Sequence, residues 1–180
     1  MLTMLNDAVI EHTFQGAMRA SICPLAIELA ADVRDKDQAL GLAASLAHSA
    51  LGIDQEPVLR ALARREQAGS TAIGCGIAIP HARISGIDHP VTVFLRPRFP
   101  IPFDAPDGKP VAALLVILVP ADDAIEAHLQ LLAKVAEIFS DRAFRLRIAD
   151  AEQAADIREA FSQWLESADR SPTETAYAGA

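Results

Sequence analysis

The sequence is poor in cysteine, in positive charge and in long apolar runs. Two of its 180 residues are cysteines, Cys23 and Cys75, and no Cys-x-x-Cys spacing joins them. That excludes a disulfide framework and predicts a reducing, cytoplasmic setting. Lysine and arginine total 16 against 24 aspartates and glutamates, for a formal charge of −8. Such a balance argues against nonspecific nucleic-acid binding and fits a basic partner surface or a small ligand. The longest strongly apolar run, Val111 to Val119, is about half a membrane-spanning helix, so no membrane insertion is expected. The first residues, Met-Leu-Thr-Met-Leu-Asn-Asp, carry no positive region ahead of an apolar stretch and do not read as a signal peptide. Internal repeats are also missing. With 51% hydrophobic residues, the length predicts one domain around one sizeable core.

What the chain does have is punctuation. Up to Gly69 it reads mainly as helix. Asp35 with Gln38 resembles a capping box, and Leu40, Ala43, Ala44, Ala47 and Leu51 follow at helical spacing until Gly52. A second helix is predicted after Asp54, with Val58, Leu59 and Leu62 facing inward, ending in Arg64-Arg65-Glu66-Gln67. Beyond His81 the character turns to strand: Val91 to Leu95, then Ala113 to Val119, which is apolar on both faces, as a central strand covered on two sides should be. Between them, Phe99 to Pro110 holds four prolines with Asp104, Asp107 and Gly108 and reads as an ordered, turn-rich excursion, a plausible wall of a site. A long helix is predicted from about Asp122 or Asp123 to Ser140, with Leu129, Leu132, Ala133, Ala136 and Phe139 inward and His128 at the margin. Shorter helices follow over about 142–148 and 151–166, the latter burying Ile157, Phe161, Trp164 and Leu165. From Ser167 onward the composition is small and polar, and a tail over 167–180 is expected to be disordered.

The most informative stretch is Gly69-Ser-Thr-Ala-Ile-Gly-Cys-Gly-Ile-Ala-Ile-Pro-His81. Gly74 and Gly76 allow close backbone approach, Gly76 to Ile79 reads as a brief buried strand, and Pro80 is expected to end its ladder. His81 is then presented where strand gives way to loop. A neutral imidazole is a good nucleophile near pH 7 and can accept a phosphoryl group without a metal. Such a site must hold about two negative charges. Arg65, the amides of the Gly74 to Gly76 loop, the helix beginning near Asp122 and His128 are the available parts, with Ser70 and Thr71 as further supports. Each part alone has a bland reading: a loop histidine, a helix-edge histidine, a solvated arginine, turn and cap hydroxyls. A Cys75/His81 nucleophilic pair lacks an orienting third group. A metal on His81 and His128 lacks a third ligand unless Asp104 contributes.

The run from Arg65 to Arg83 resembles the active-site signature of the mannitol/fructose-type enzyme IIA domains of the bacterial phosphotransferase system. Two further segments resemble the nitrogen-regulatory branch: Pro102-Phe-Asp-Ala-Pro-Asp-Gly-Lys-Pro-Val111, and Leu118-Val-Pro-Ala-Asp122 leading to His128-Leu129. Together the likeness covers about Ser21 to Leu165, which implies a domain over 21–166 preceded by an N-terminal extension over 1–20. It implies an α/β fold, a mixed β-sheet flanked by helices on both faces. It also implies that His81 takes a phosphoryl group on Nε2 from an HPr-like phosphocarrier, with His128 as second active-site histidine and Arg65 beside them. No cofactor or metal is implied. In this branch the phosphorylation state signals to targets such as potassium-transport proteins or sensor kinases. The alternatives are a sugar-transport component passing phosphate to a IIB domain, or a binding-only module whose His81 is never phosphorylated. Cys75 stands where the branch more usually has asparagine, so the loop's role is assigned to its backbone.

Overall fold

The computed structural model describes residues 21–170, and the proposed extension over 1–20 lies outside them. Among the described residues, six strands form one mixed sheet and five helices cover it. The strands are β1 (Ala26–Ala31), β2 (Ala72–Gly74), β3 (Ile77–Ala78), β4 (His81–Ile84), β5 (Val91–Pro97) and β6 (Ala113–Pro120). The helices are α1 (Lys36–Leu51), α2 (Gln55–Gln67), α3 (Ile125–Ser140), α4 (Arg142–Asp150) and α5 (Ala154–Arg170).

β6 is the spine. It pairs antiparallel with β5 on one side and parallel with both β3 and β4 on the other, while β1 lies parallel to β5. All eight residues of β6 are buried, because its side chains alternate between two cores. Leu114, Val116 and Leu118 face Leu40, Ala43 and Ala44 of α1 and Val58 and Leu62 of α2. Leu115, Ile117 and Val119 face Leu131, Val135 and Ile138 of α3, Phe144 of α4 and Phe161 of α5. The expected helical layer on each face is therefore present.

Local chemistry accounts for the helix ends. Asp35 caps α1 by accepting the Gln38 amide at 2.8 Å, and Gly52 closes it in the left-handed region, φ 70°. Asp141 accepts the Ala143 amide at 2.7 Å and starts α4 immediately after α3.

Several expectations need correction. β1 falls in a stretch that looked helical; Ala, Glu and Leu favour helix locally, but pairing of Ala26 to Leu29 with Val93 to Arg96 on β5 overrides that preference. On α3 the inward residues are Leu131, Val135, Ile138 and Phe139, while Leu129 is 54% exposed. The helix has two overlapping apolar stripes, and the sheet takes the one centred on Val135. α3 also starts at Ile125, after an Ala124 cap with no side-chain bond, a little later than predicted. α5 runs on through Arg170, past the predicted end, and residues 171–180 lie outside the described residues. Pro80 interrupts the ladder without ending it: its carbonyl still accepts the Ile117 amide at 2.8 Å, and His81 opens β4.

An aromatic cluster fixes the helical layer that carries α3. Phe161 meets Phe94 of β5, Phe139 of α3 and Phe144 of α4 edge-on, with centroids 6.4, 6.2 and 4.9 Å away. Truncation to Phe161→Ala should cost about 3–5 kcal/mol, read as a lower urea midpoint at unchanged slope. A loss below about 1 kcal/mol would mean the cluster is not what holds this layer.

Candidate functional site

His81 is placed by the broken strand. Ala82 and Ile84 point into the core under α1 and α2, so His81 and Arg83, at alternate positions, face the other way. Nδ1 of His81 lies 2.9 Å from the Ile79 carbonyl. A carbonyl only accepts, so Nδ1 carries the proton and Nε2 carries the lone pair. Arg65, in the last turn of α2, donates from Nε to that Nε2 at 3.0 Å. Its Nη1 donates to the Gly69 carbonyl at 2.9 Å, which holds the guanidinium in place. His128, at the end of the first turn of α3, brings its ring centroid to 5.5 Å from that of His81, tilted by 55°. Arg65, His81 and His128 are thus assembled from α2, β4 and α3.

The electrostatics favour a neutral His81. Burial lowers its pKa from 6.5, the Ile79 hydrogen bond opposes this, and the charges of Arg65 and His128 lower it further. His128 is lowered too, first by burial and then by the Arg83 guanidinium. Its Nδ1 is buried without a hydrogen-bond partner among the described residues.

Other predicted supports are occupied elsewhere. Ser70 donates its hydroxyl to the Phe103 carbonyl at 2.6 Å, and Thr71 donates to Glu66 at 2.6 Å. The Cys75 amide donates to Asp107 at 2.9 Å. Gly74 suits this turn by its φ of 87°, a backbone conformation that L side chains rarely adopt. The Gly76 carbonyl binds the amides of Ala112 and Ala113, whereas His81 registers with Ile117. Four residues of strand, about 13 Å, separate those positions. The structure does not bring the glycine loop to the imidazole; it staples that loop to the excursion over 99–110. Cys75 sits exposed on the loop, and Asp104 pairs with Lys36 at 2.6 Å. Among the described residues no group of three or more His, Cys, Asp or Glu side chains could hold a metal ion, and no helix is long and apolar enough to cross a membrane.

Sequence reasoning missed two charged residues. Arg83 donates to the carbonyls of Asp123 at 2.7 Å and Ala121 at 3.4 Å, tying β4 to the loop that launches α3. Its position two residues from His81, on the same strand face, was the available signal. Glu66 is buried at 5% exposure, and its adjacency to Arg65 was the only hint.

Residues 23–164 match the family model described as "Phosphoenolpyruvate-dependent sugar phosphotransferase system, EIIA 2". A "Nitrogen regulatory protein" of Pseudomonas aeruginosa is 43% identical over 101 residues, which is 56% of this chain and 65% of that protein, just under two thirds of its length. One of Klebsiella oxytoca is 37% identical over 131 residues, 72% of this chain and 80% of that protein. The crystal structure of the nitrogen regulatory protein IIA-Ntr from Neisseria meningitidis superposes with a TM-score of 0.72 at 36% identity, covering 78% of this chain and 96% of that one.

Both histidines should titrate below 6.5 in the folded protein. In a long-range ¹H–¹⁵N spectrum at pH 7, His81 should show the Nδ1–H tautomer. Arg65→Gln, which removes a positive neighbour, should raise the His81 midpoint. Because the folded state binds fewer protons than the unfolded chain, stability should be complete above about pH 6.5 and fall as pH drops through the lowered midpoints. Midpoints at or above 6.5 would contradict this electrostatic account.

Proposed function

This chain belongs to the type-2 EIIA family of the phosphoenolpyruvate-dependent phosphotransferase system, and on that footing we propose that its His81 accepts a phosphoryl group on Nε2 from an HPr-like phosphohistidine. The carrying observation is the Nδ1–H bond to the Ile79 carbonyl, which leaves Nε2 as the nucleophilic atom. In the transfer the donor's P–N bond breaks as the P–Nε2 bond forms. The Nδ1 proton stays, so the ring becomes cationic, and the Ile79 carbonyl stabilises that charge. Arg65 yields its hydrogen bond to Nε2 and, still anchored on Gly69, faces the incoming oxygens. His128, whose ring centroid lies 5.5 Å from that of His81, supplies a further contact. Transfer between two imidazoles asks mainly for in-line positioning and charge stabilisation.

The phosphoryl group then serves as a signal. Two negative charges beside the α2–β4–α3 junction change what docks there without refolding the domain. The nitrogen regulatory relatives support this regulatory reading. The protein would act in the cytoplasm, on targets such as potassium-transport proteins or sensor kinases.

Incubation with enzyme I, an HPr-like carrier and labelled phosphoenolpyruvate tests the step. Wild type should label, His81→Ala should not, Arg65→Gln should slow labelling by about 10², and His128→Ala should slow it yet leave label detectable. An unlabelled wild type, or equal labelling of His81→Ala, would sink the phosphotransfer reading and leave a binding-only module. Rapid onward transfer to a IIB domain would move the role to sugar transport.

A further inference from the structure

Arg65 and Glu66, adjacent charged residues in the last turn of α2, diverge. Arg65 reaches out to Nε2 of His81. Glu66 turns inward and is buried, where its carboxylate accepts from the Thr71 hydroxyl at 2.6 Å and the Thr71 amide at 3.1 Å, with Lys36 Nζ at 3.6 Å. Burying a carboxylate is costly unless donors surround it, and packing alone gives no reason to place one here. What the arrangement does achieve is to pin Thr71 through both its backbone and its side chain.

Thr71 is the next link. Its carbonyl accepts the Ile79 amide at 3.0 Å. Ile79 precedes Pro80, which confines it to extended backbone, so holding its N–H also sets the direction of its carbonyl. That carbonyl takes the Nδ1 proton of His81 at 2.9 Å. We propose that Glu66 is a positioning residue for His81: through Thr71 and Ile79 it keeps the proton on Nδ1 and the lone pair on Nε2. Arg65, its neighbour on α2, grips the same ring from the Nε2 side, so one helix end controls both nitrogens. Glu66 acts at one remove, through the backbone on which the ring depends.

Its charge contributes as well. Glu66 raises the proton affinity of His81, against the lowering by Arg65 on α2 and His128 on α3. Lys36 on α1 stands on the far side of the carboxylate and is shared with Asp104 at 2.6 Å. The inference rests on the phosphoacceptor reading above, but two of its readouts need no phosphate.

The test compares wild type with Glu66→Gln, Thr71→Val and Thr71→Ser. In the unphosphorylated proteins, ¹H–¹⁵N spectra give the His81 tautomer and titration midpoint. With an HPr-like phosphocarrier, labelling kinetics give kcat and KM. Glu66→Gln should lower the His81 midpoint, and both Glu66→Gln and Thr71→Val should show the Nε2–H tautomer appearing. Both should slow kcat about tenfold or more at little changed KM, as a displaced nucleophile does. Thr71→Ser, which keeps the hydroxyl, should restore wild-type behaviour. Wild-type tautomer, midpoint and kcat in both altered proteins, however much stability they lose, would make Glu66 a purely structural residue. Should Glu66→Gln fail to fold, the Thr71→Val and Thr71→Ser pair decides on the same readouts. A wild type that never labels overturns the phosphoacceptor reading alone, since tautomer and midpoint still judge the positioning.

Discussion

For one nitrogen of an imidazole to be a nucleophile, the proton must be held on the other. In this protein the Ile79 carbonyl holds it, two residues before His81. That carbonyl is turned toward the ring at the point where Pro80 interrupts the strand. Pro80 has no amide proton to give, yet its own carbonyl remains bonded to the Ile117 amide. The chain thus steps out between β3 and β4 without losing its register on β6. The sheet supplies rigidity, the proline supplies the step, and the step aims the ring.

Helices then dress the imidazole from two sides. α2 brings Arg65 to Nε2, and α3 brings His128 across a 5.5 Å gap, held by Arg83 and by the aromatic cluster around Phe161. Burial and positive neighbours keep His81 neutral, which is the state a nucleophile needs. On the phosphoacceptor reading proposed above, the same positive groups would become attractive once two negative charges arrived, so a single arrangement would serve both the free imidazole and its phosphorylated product.

Much of this was legible in the sequence. The all-apolar run over 113–119 announced a central strand covered on both faces, the Asp35 and Gln38 pair announced the start of α1, and the signature from Arg65 to Arg83 carried the family. The misses have physical causes. β1 is built from residues with helical preference and exists because β5 offers an edge. Leu129 belongs to an apolar stripe on α3 that the sheet leaves uncovered. His81 opens a strand because parallel pairing with β6 resumes after the proline. The Gly74 to Gly76 loop, read from its glycines as a ligand cradle, is held by Asp107 instead, a contact between segments more than thirty residues apart in sequence that no local pattern encodes. Glu66 stood in the sequence only as one member of the polar cluster that ends α2, and its burial sets it apart.

The central claim is that Nε2 of His81 is the reacting atom because Nδ1 is committed to the Ile79 carbonyl. The most direct measurement is a long-range ¹H–¹⁵N spectrum, with ³¹P coupling, of the ¹⁵N-histidine protein after phosphorylation. The account predicts phosphorus coupled to Nε2 of His81, with Nδ1 still protonated. Phosphorus on Nδ1, or on His128 in place of His81, would contradict it.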